Sequence, residues 1–180
     1  MRQRKLAEPL YAKLAEMEFK SILISQYRAE LKMLADCISL FSDEAWAAGD
    51  HPRSAWRIAY HALFYTHLYL APDAQSFKEW HRHVSHGPVL WLDDEEGVPP
   101  VEVTFSQADL LEYLDFVSEN LTGWVENLDL QSSSSGFSWY PNMSKLEHQM
   151  VNLRHLGVHI GQLQERLYAD GLEPGWKSRG

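Results

Sequence analysis

The sequence predicts an all-α fold: an antiparallel four-helix bundle with a long irregular connection between its second and third helices and a short N-terminal extension. Three observations lead there. Two stretches repeat apolar residues at intervals of four, three, four and three, which keeps them on one helix face. A third stretch, residues 55 to 70, is apolar nearly all round, as expected of a buried helix. No segment alternates convincingly enough to predict a strand, and four long helices with no sheet pack most simply as a bundle.

Taken in order, Pro9 suits a first helical turn, and a short helix is expected through Leu10, Leu14 and Met17. The first bundle helix is expected from Ser21 to about Ser42, on the stripe Tyr27, Leu31, Leu34, Ile38 and Phe41. The SDEAW segment reads as a fresh cap and a short turn, and Gly49-Asp50-His51-Pro52 then breaks the chain. The second helix covers about Arg53 to Leu70. Residues 71 to 105, with four prolines and the acidic run Asp93 to Glu96, form an irregular connection. A short helix is expected there around Ser76 to His83, and VEVTF reads as briefly extended. The third helix starts after Ser106, an N-cap with Asp109 at the third helical position, on the stripe Leu110, Leu114, Val117, Leu121 and Trp124. The run Gln131 to Gly136 has the composition of a flexible linker. The fourth helix runs from about Ser144 to Ala169 and stops at Asp170-Gly171.

Composition narrows the function classes. The 180 residues fit a single domain, with a core of about 20 to 170, and 45% hydrophobic against 23% charged residues is an ordinary globular balance. A formal charge of −9 and the lack of any basic stripe argue against nucleic acid or an anionic membrane as partner. Cys37, the sole cysteine, excludes an intrachain disulfide and reads as a buried, inert thiol. The N-terminus lacks the apolar core of a signal peptide, and residues 55 to 70 are too short and too polar to span a bilayer, so a cytoplasmic protein is expected.

Histidine placement carries the chemistry. His155 and His159, four apart, rise from one helix face and can grip a single ion. His61, in the middle of the most apolar helix, is a candidate third ligand, although a lone core histidine usually just bonds a carbonyl. His67 lies about 120° around the helix from His61, so the two cannot easily share an ion, and it reads as a satisfied surface residue. His148, seven before His155, is either at the pocket approach or solvated near the helix start. Gln162, seven beyond His155, can point to the same pocket, with Gly161 beside it permitting close helix approach. His81, His83 and His86 read as exposed. Trp56, Tyr60, Tyr65 and Trp124 are candidate pocket walls, Tyr65 foremost among them.

The order of these features resembles the DinB-like superfamily of four-helix proteins. The resemblance rests on the amphipathic first helix, the SDEAW turn, the Pro-led second helix with its central histidine, and above all on H-x-x-x-H-x-G-Q-L at His155 to Leu163. It implies one divalent ion on His61, His155 and His159, with the remaining positions open; imidazole suits Zn, Ni and Fe alike. It also implies an enzyme that transfers a low-molecular-weight thiol, such as bacillithiol or mycothiol, through a metal-bound thiolate to an electrophilic small molecule. Metal-activated water, giving hydrolysis, is the alternative chemistry. A non-catalytic metal-stabilised stress or interaction protein is the alternative class. A homodimer is expected, and the connection 71–105 and the 1–19 extension exceed the family pattern. No Glu follows His155 in an HExxH arrangement, which argues against a zincin-type protease.

Overall fold

In a computed structural model of the chain, residues 2–49, 52–91 and 101–180 are described, with side chains from Leu14 onward except residue 15. The acidic run Asp93 to Glu96, Pro99, Pro100, Asp50 and His51 lie outside the described residues. Five helices form: α1 (Arg2–Leu40), α2 (Asp43–Ala47), α3 (Ala55–Tyr69), α4 (Gln107–Asn127) and α5 (Lys145–Ala169). No strand occurs among the described residues, so VEVTF is irregular rather than extended into a sheet.

The expected break between an N-terminal helix and the first bundle helix does not exist, and α1 is continuous over 39 residues. No Gly or Pro interrupts Met17 to Ser21. Lys20 also pairs with Glu16 one turn earlier (3.1 Å) and donates to the Glu126 carbonyl on α4 (2.9 Å). At about 1.5 Å per residue this helix is much longer than α4, and Leu14, Met17 and Phe19 in its first half are exposed. Its second half buries Tyr27, Leu31, Leu34 and Ile38 of the expected stripe, and Phe41 just past its end is buried too. Ser42 caps α2 by accepting from Ala45 N, and Trp46 drops into the core, donating to the Phe105 carbonyl (2.9 Å).

Helix α4 begins with the expected capping box, in which Ser106 accepts from Asp109 N and Asp109 accepts from Ser106 N (2.8 Å). Helix α5 is capped by Ser144 and ends ahead of Gly171, whose φ of 76° supplies the left-handed exit. Helix α1 packs on α4 and α5, and α3 packs on α5 and α4, so the core lies among the four long helices. Fully burying each Leu or Ile there is worth about 1.5–3 kcal/mol. Gln149 ties three of them, accepting from Tyr27 Oη on α1 (2.9 Å) and donating to the Tyr69 carbonyl on α3 (2.8 Å).

Two loops differ from expectation. Residues 76 to 83 form turns, not a helix, because side chains anchor them individually. Ser76 N donates to Asp73 Oδ1 (2.8 Å), Trp80 stacks on Tyr113 (4.5 Å between ring centres), and Arg82 pairs with Asp109 and Glu112 on α4. The serine-rich run is not a flexible linker. Ser132, Ser134 and Ser135 hydroxyls accept from backbone N–H groups two residues on, and the buried Lys145 ammonium donates to the Ser135 and Pro72 carbonyls. No helix among the described residues is long and apolar enough to cross a membrane.

Candidate metal centre

The centre is assembled from α3 outward. Every residue of α3 except Phe64 and Tyr65 is buried, including Arg57, an unusual cation in such a helix. Arg57 donates to the carbonyls of His86 (2.8 Å) and Gly87 (3.1 Å), and thereby fixes the incoming connection against α3. His86 adopts φ 62°, an uncommon conformation for a non-glycine residue. Gly87 lies so close to Tyr60 that a Cβ would sit 2.6 Å from the ring. Tyr60 Oη adds a bond to His83 Nδ1 (2.8 Å) and accepts from Val84 N (3.1 Å). Held in this way, the next carbonyl, Pro88 O, meets His61 Nδ1 at 2.5 Å.

One turn of α5 supplies the other two histidines. His155 Nε2 lies 2.9 Å from His61 Nε2 and 3.1 Å from His159 Nε2. Potential ligand atoms of the three lie within 4.8 Å of one another, and no fourth His, Cys, Asp or Glu joins them among the described residues. The far side of His159 is fixed by Gln162, with Nδ1 and Oε1 2.9 Å apart.

Proton bookkeeping shows why a cation fits. A carbonyl oxygen only accepts, so Nδ1 carries the proton in both His61 and His159, and each Nε2 presents a lone pair. His155 is neutral with one proton to place. On Nε2 that proton satisfies only one of two facing lone pairs. On Nδ1 it is stranded, because His155 Nδ1 is buried without a hydrogen-bond partner, at a cost of about 1–3 kcal/mol. A divalent ion accepting all three lone pairs removes the conflict at Nε2. Nitrogens about 2.0–2.1 Å from a tetrahedral zinc-type ion sit about 3.3 Å apart, within a few tenths of an ångström of the two spacings from His155 Nε2, while the third pair lies within 4.8 Å.

Electrostatics point the same way. Burial pushes His61 down to about 2, helped by the neighbouring His159, and burial likewise pushes His155 down to about 4. His159 is also lowered by burial, with Gln162 opposing the shift. All three rings are therefore neutral near pH 7, the form that binds metal.

A cavity of about 510 Å³ opens directly on His61 and His155. Its remaining walls are Tyr65, Leu68, Tyr69, Trp91, Trp139 and Tyr140. Tyr65 is thus where expected, its ring 4.6 Å from that of His61 and 5.5 Å from that of His155. Burial raises its pKa, so its hydroxyl keeps its proton at neutral pH.

Other sequence candidates sit elsewhere. Gln162 does not face this cavity and acts instead on His159. Gly161 has open space where a Cβ would be, so it is not needed for close packing. His148 neither lines the cavity nor is solvated: it is fully buried among Tyr69, Phe137 and Tyr140, and neither ring nitrogen has a partner. His67 is not a surface residue, since it is buried, stacked on Trp124 (4.6 Å) and bonded through Nδ1 to Tyr113 Oη (3.0 Å). His81 and His86 are exposed as expected, but His83 is partly buried and stacked on Phe64 (5.0 Å). Trp56 and Tyr60 belong to the core. Cys37 is fully buried, and burial raises its thiol to about 12, so it is inert.

Sequence reasoning missed Arg57, Pro88, Trp91, Trp139 and Tyr140. Arg57 alone left a signal, as a lone cation one helical turn before His61 in an apolar helix. Comparison of the chain with family models, with curated proteins and with solved structures finds no match in any of the three.

Proposed function

We propose that the four long helices form an antiparallel bundle of the DinB-like kind and that His61, His155 and His159 hold one divalent ion. On this reading the protein is a metal-dependent enzyme that transfers a low-molecular-weight thiol to an electrophilic small molecule. One observation carries the reading: three neutral imidazoles bring their ligand atoms within 4.8 Å of one another, with His155 Nε2 against both other Nε2 atoms, and two of the three rings form the floor of an open cavity. A divalent ion there supplies Lewis acidity and lowers the pKa of a thiol or water presented to it.

The chain's own residues supply the rest. Pro88 O and Gln162 hold two ligands in the required tautomer and orientation. Tyr65 offers a protonated hydroxyl beside two ligands, a donor rather than a base. No carboxylate lies among the described cavity-lining residues, so nothing there activates water as a general base, which favours a thiol over water as nucleophile. A non-catalytic, structural centre would close its coordination with a fourth protein ligand, and the described residues offer none. A second copy packing on the exposed Leu14, Met17, Phe19 and Ile22 of α1 completes the proposal as a homodimer.

The test is to load the protein with Zn, Ni or Fe and supply cysteine-derived thiols with 1-chloro-2,4-dinitrobenzene. Conjugate formation that vanishes on chelation, and in His155→Ala, is expected. Rates equal to those without protein, for every metal and thiol, would overturn the enzymatic reading.

A further inference from the structure

The cavity above the histidines has a chemistry of its own. Of its eight described lining residues five are Tyr or Trp, and none of these eight is Lys, Arg, Asp or Glu. At about 510 Å³ it falls within the roughly 300–1,000 Å³ of ordinary small-molecule sites.

Its outer wall is rigidly built. Trp139 and Tyr140 follow the serine turns, where Ser135 Oγ donates to the carbonyls of Phe137 and Tyr140 (each 3.2 Å). Gly136, at φ 83°, lies so close to the Pro72 carbonyl that no Cβ fits. The Lys145 ammonium behind this wall is spent on the Pro72 and Ser135 carbonyls and does not line the cavity. The indoles of Trp91 and Trp139 are nevertheless half exposed, at 52% and 51%. A pinned loop that presents a large ring to an open cavity is preorganised to stack something flat.

Charge decides what that is. A carboxylate or phosphate stacked on these outer walls would find no cationic side chain among the described lining residues, and the ion's open position belongs to the thiolate on the reading above, so the charge would be buried unpaired, which is costly. A cationic ring would gain contact with the aromatic faces but would sit above a centre suited to a divalent cation, which repels it. We propose that this cavity binds an uncharged planar aromatic ring system, stacked on Trp139 and Trp91, as the electrophilic partner of the thiol: the ring carries a leaving group such as halide, the C–S bond forms as that group departs with the electrons of its own bond to carbon, and the thiol proton goes to solvent. This deepens the function proposed above and rests on that reading for its role in the reaction, but not for the binding itself.

The test therefore uses metal-free protein, with zinc titration run separately. Dissociation constants are measured by ligand-observed NMR for 2-methoxynaphthalene, for 2-naphthoate and for a saturated ring ether of similar size. The naphthyl ether is expected to bind at least ten-fold more tightly than either comparator. Trp139→Leu, at an exposed position that leaves helicity intact, should weaken it by about ten-fold, and Trp91→Leu should do likewise. Equal or tighter binding of 2-naphthoate, equal binding of the saturated ether, or unchanged affinity in both tryptophan variants would overturn the proposal. Stoichiometric zinc without ring selectivity sinks this inference alone, whereas ring selectivity without zinc sinks the metal centre alone.

Discussion

Gln162→Leu isolates what the protein contributes to the centre beyond its ligands. Gln162 does not line the cavity above the histidines; it accepts from His159 Nδ1 at 2.9 Å. Leucine keeps the bulk on α5 and removes the acceptor. His159 is then free to move its proton to Nε2, where it blocks coordination, and its ring loses its orientation. Loss of such a supporting bond typically costs 10–100-fold in metal affinity, or about 1.4–2.7 kcal/mol. The assay is competition for zinc against a chromophoric chelator at pH 7, with helicity followed by circular dichroism. Gln162→Glu should bind at least as tightly as wild type, because a carboxylate accepts the same proton and makes the imidazole more basic. Wild-type affinity in Gln162→Leu, or equal weakening in Gln162→Glu, would refute the reasoning.

Three further outcomes follow from the same contacts. Arg57→Met frees the His86 and Gly87 carbonyls, so unfolding free energy should fall by about 2–3 kcal/mol in urea titration, and zinc affinity should fall with it as Pro88 O leaves His61. Gly136→Ala forces a Cβ at φ 83° against the Pro72 carbonyl, costing more than about 2 kcal/mol, and a melting scan should show a drop of roughly 4–8 °C. The third outcome concerns pH. His67 and His148 are held down to about 4 in the folded protein by burial, with Lys145 adding to the effect at His148. The unfolded chain binds these protons from about pH 6.5 downward, so stability is full above pH 6.5 and falls as pH drops towards 4. The slope approaches about 1.4 kcal/mol per pH unit for each histidine. Urea midpoints at pH 7, 6 and 5 in the presence of chelator should decline; a flat or rising midpoint contradicts the burial of these rings.

Local rules made much of the fold legible. The stripes of α1 and α4, the Ser106–Asp109 capping box and the Gly171 exit each depend on residues within two turns, so the sequence displays them directly. The His155–His159 pair was legible for the same reason, whereas His61 was only a candidate from its own helix, where a core histidine usually bonds a carbonyl, and joined the set through the resemblance. What failed depends on distant partners. His67 and His148 are buried because Trp124 on α4 covers one and the 137–140 loop covers the other, and no periodicity within their own helices encodes that. The serine run has the composition of a linker, but its order comes from a lysine ten residues beyond Ser135 and a carbonyl at Pro72. The same holds for the cavity, whose tryptophans come from two separate loops, and for the 76–83 segment, where Trp80 and Arg82 are drawn to α4 in place of helical bonding.

Metal content by elemental analysis decides whether His61, His155 and His159 together hold one ion. Wild type, loaded and desalted, should carry one equivalent of divalent metal. His61→Ala, His155→Ala and His159→Ala should each lose it with helicity retained, while His67→Ala keeps it. A metal-free wild type, or a His61→Ala protein that holds its full equivalent, would contradict the account.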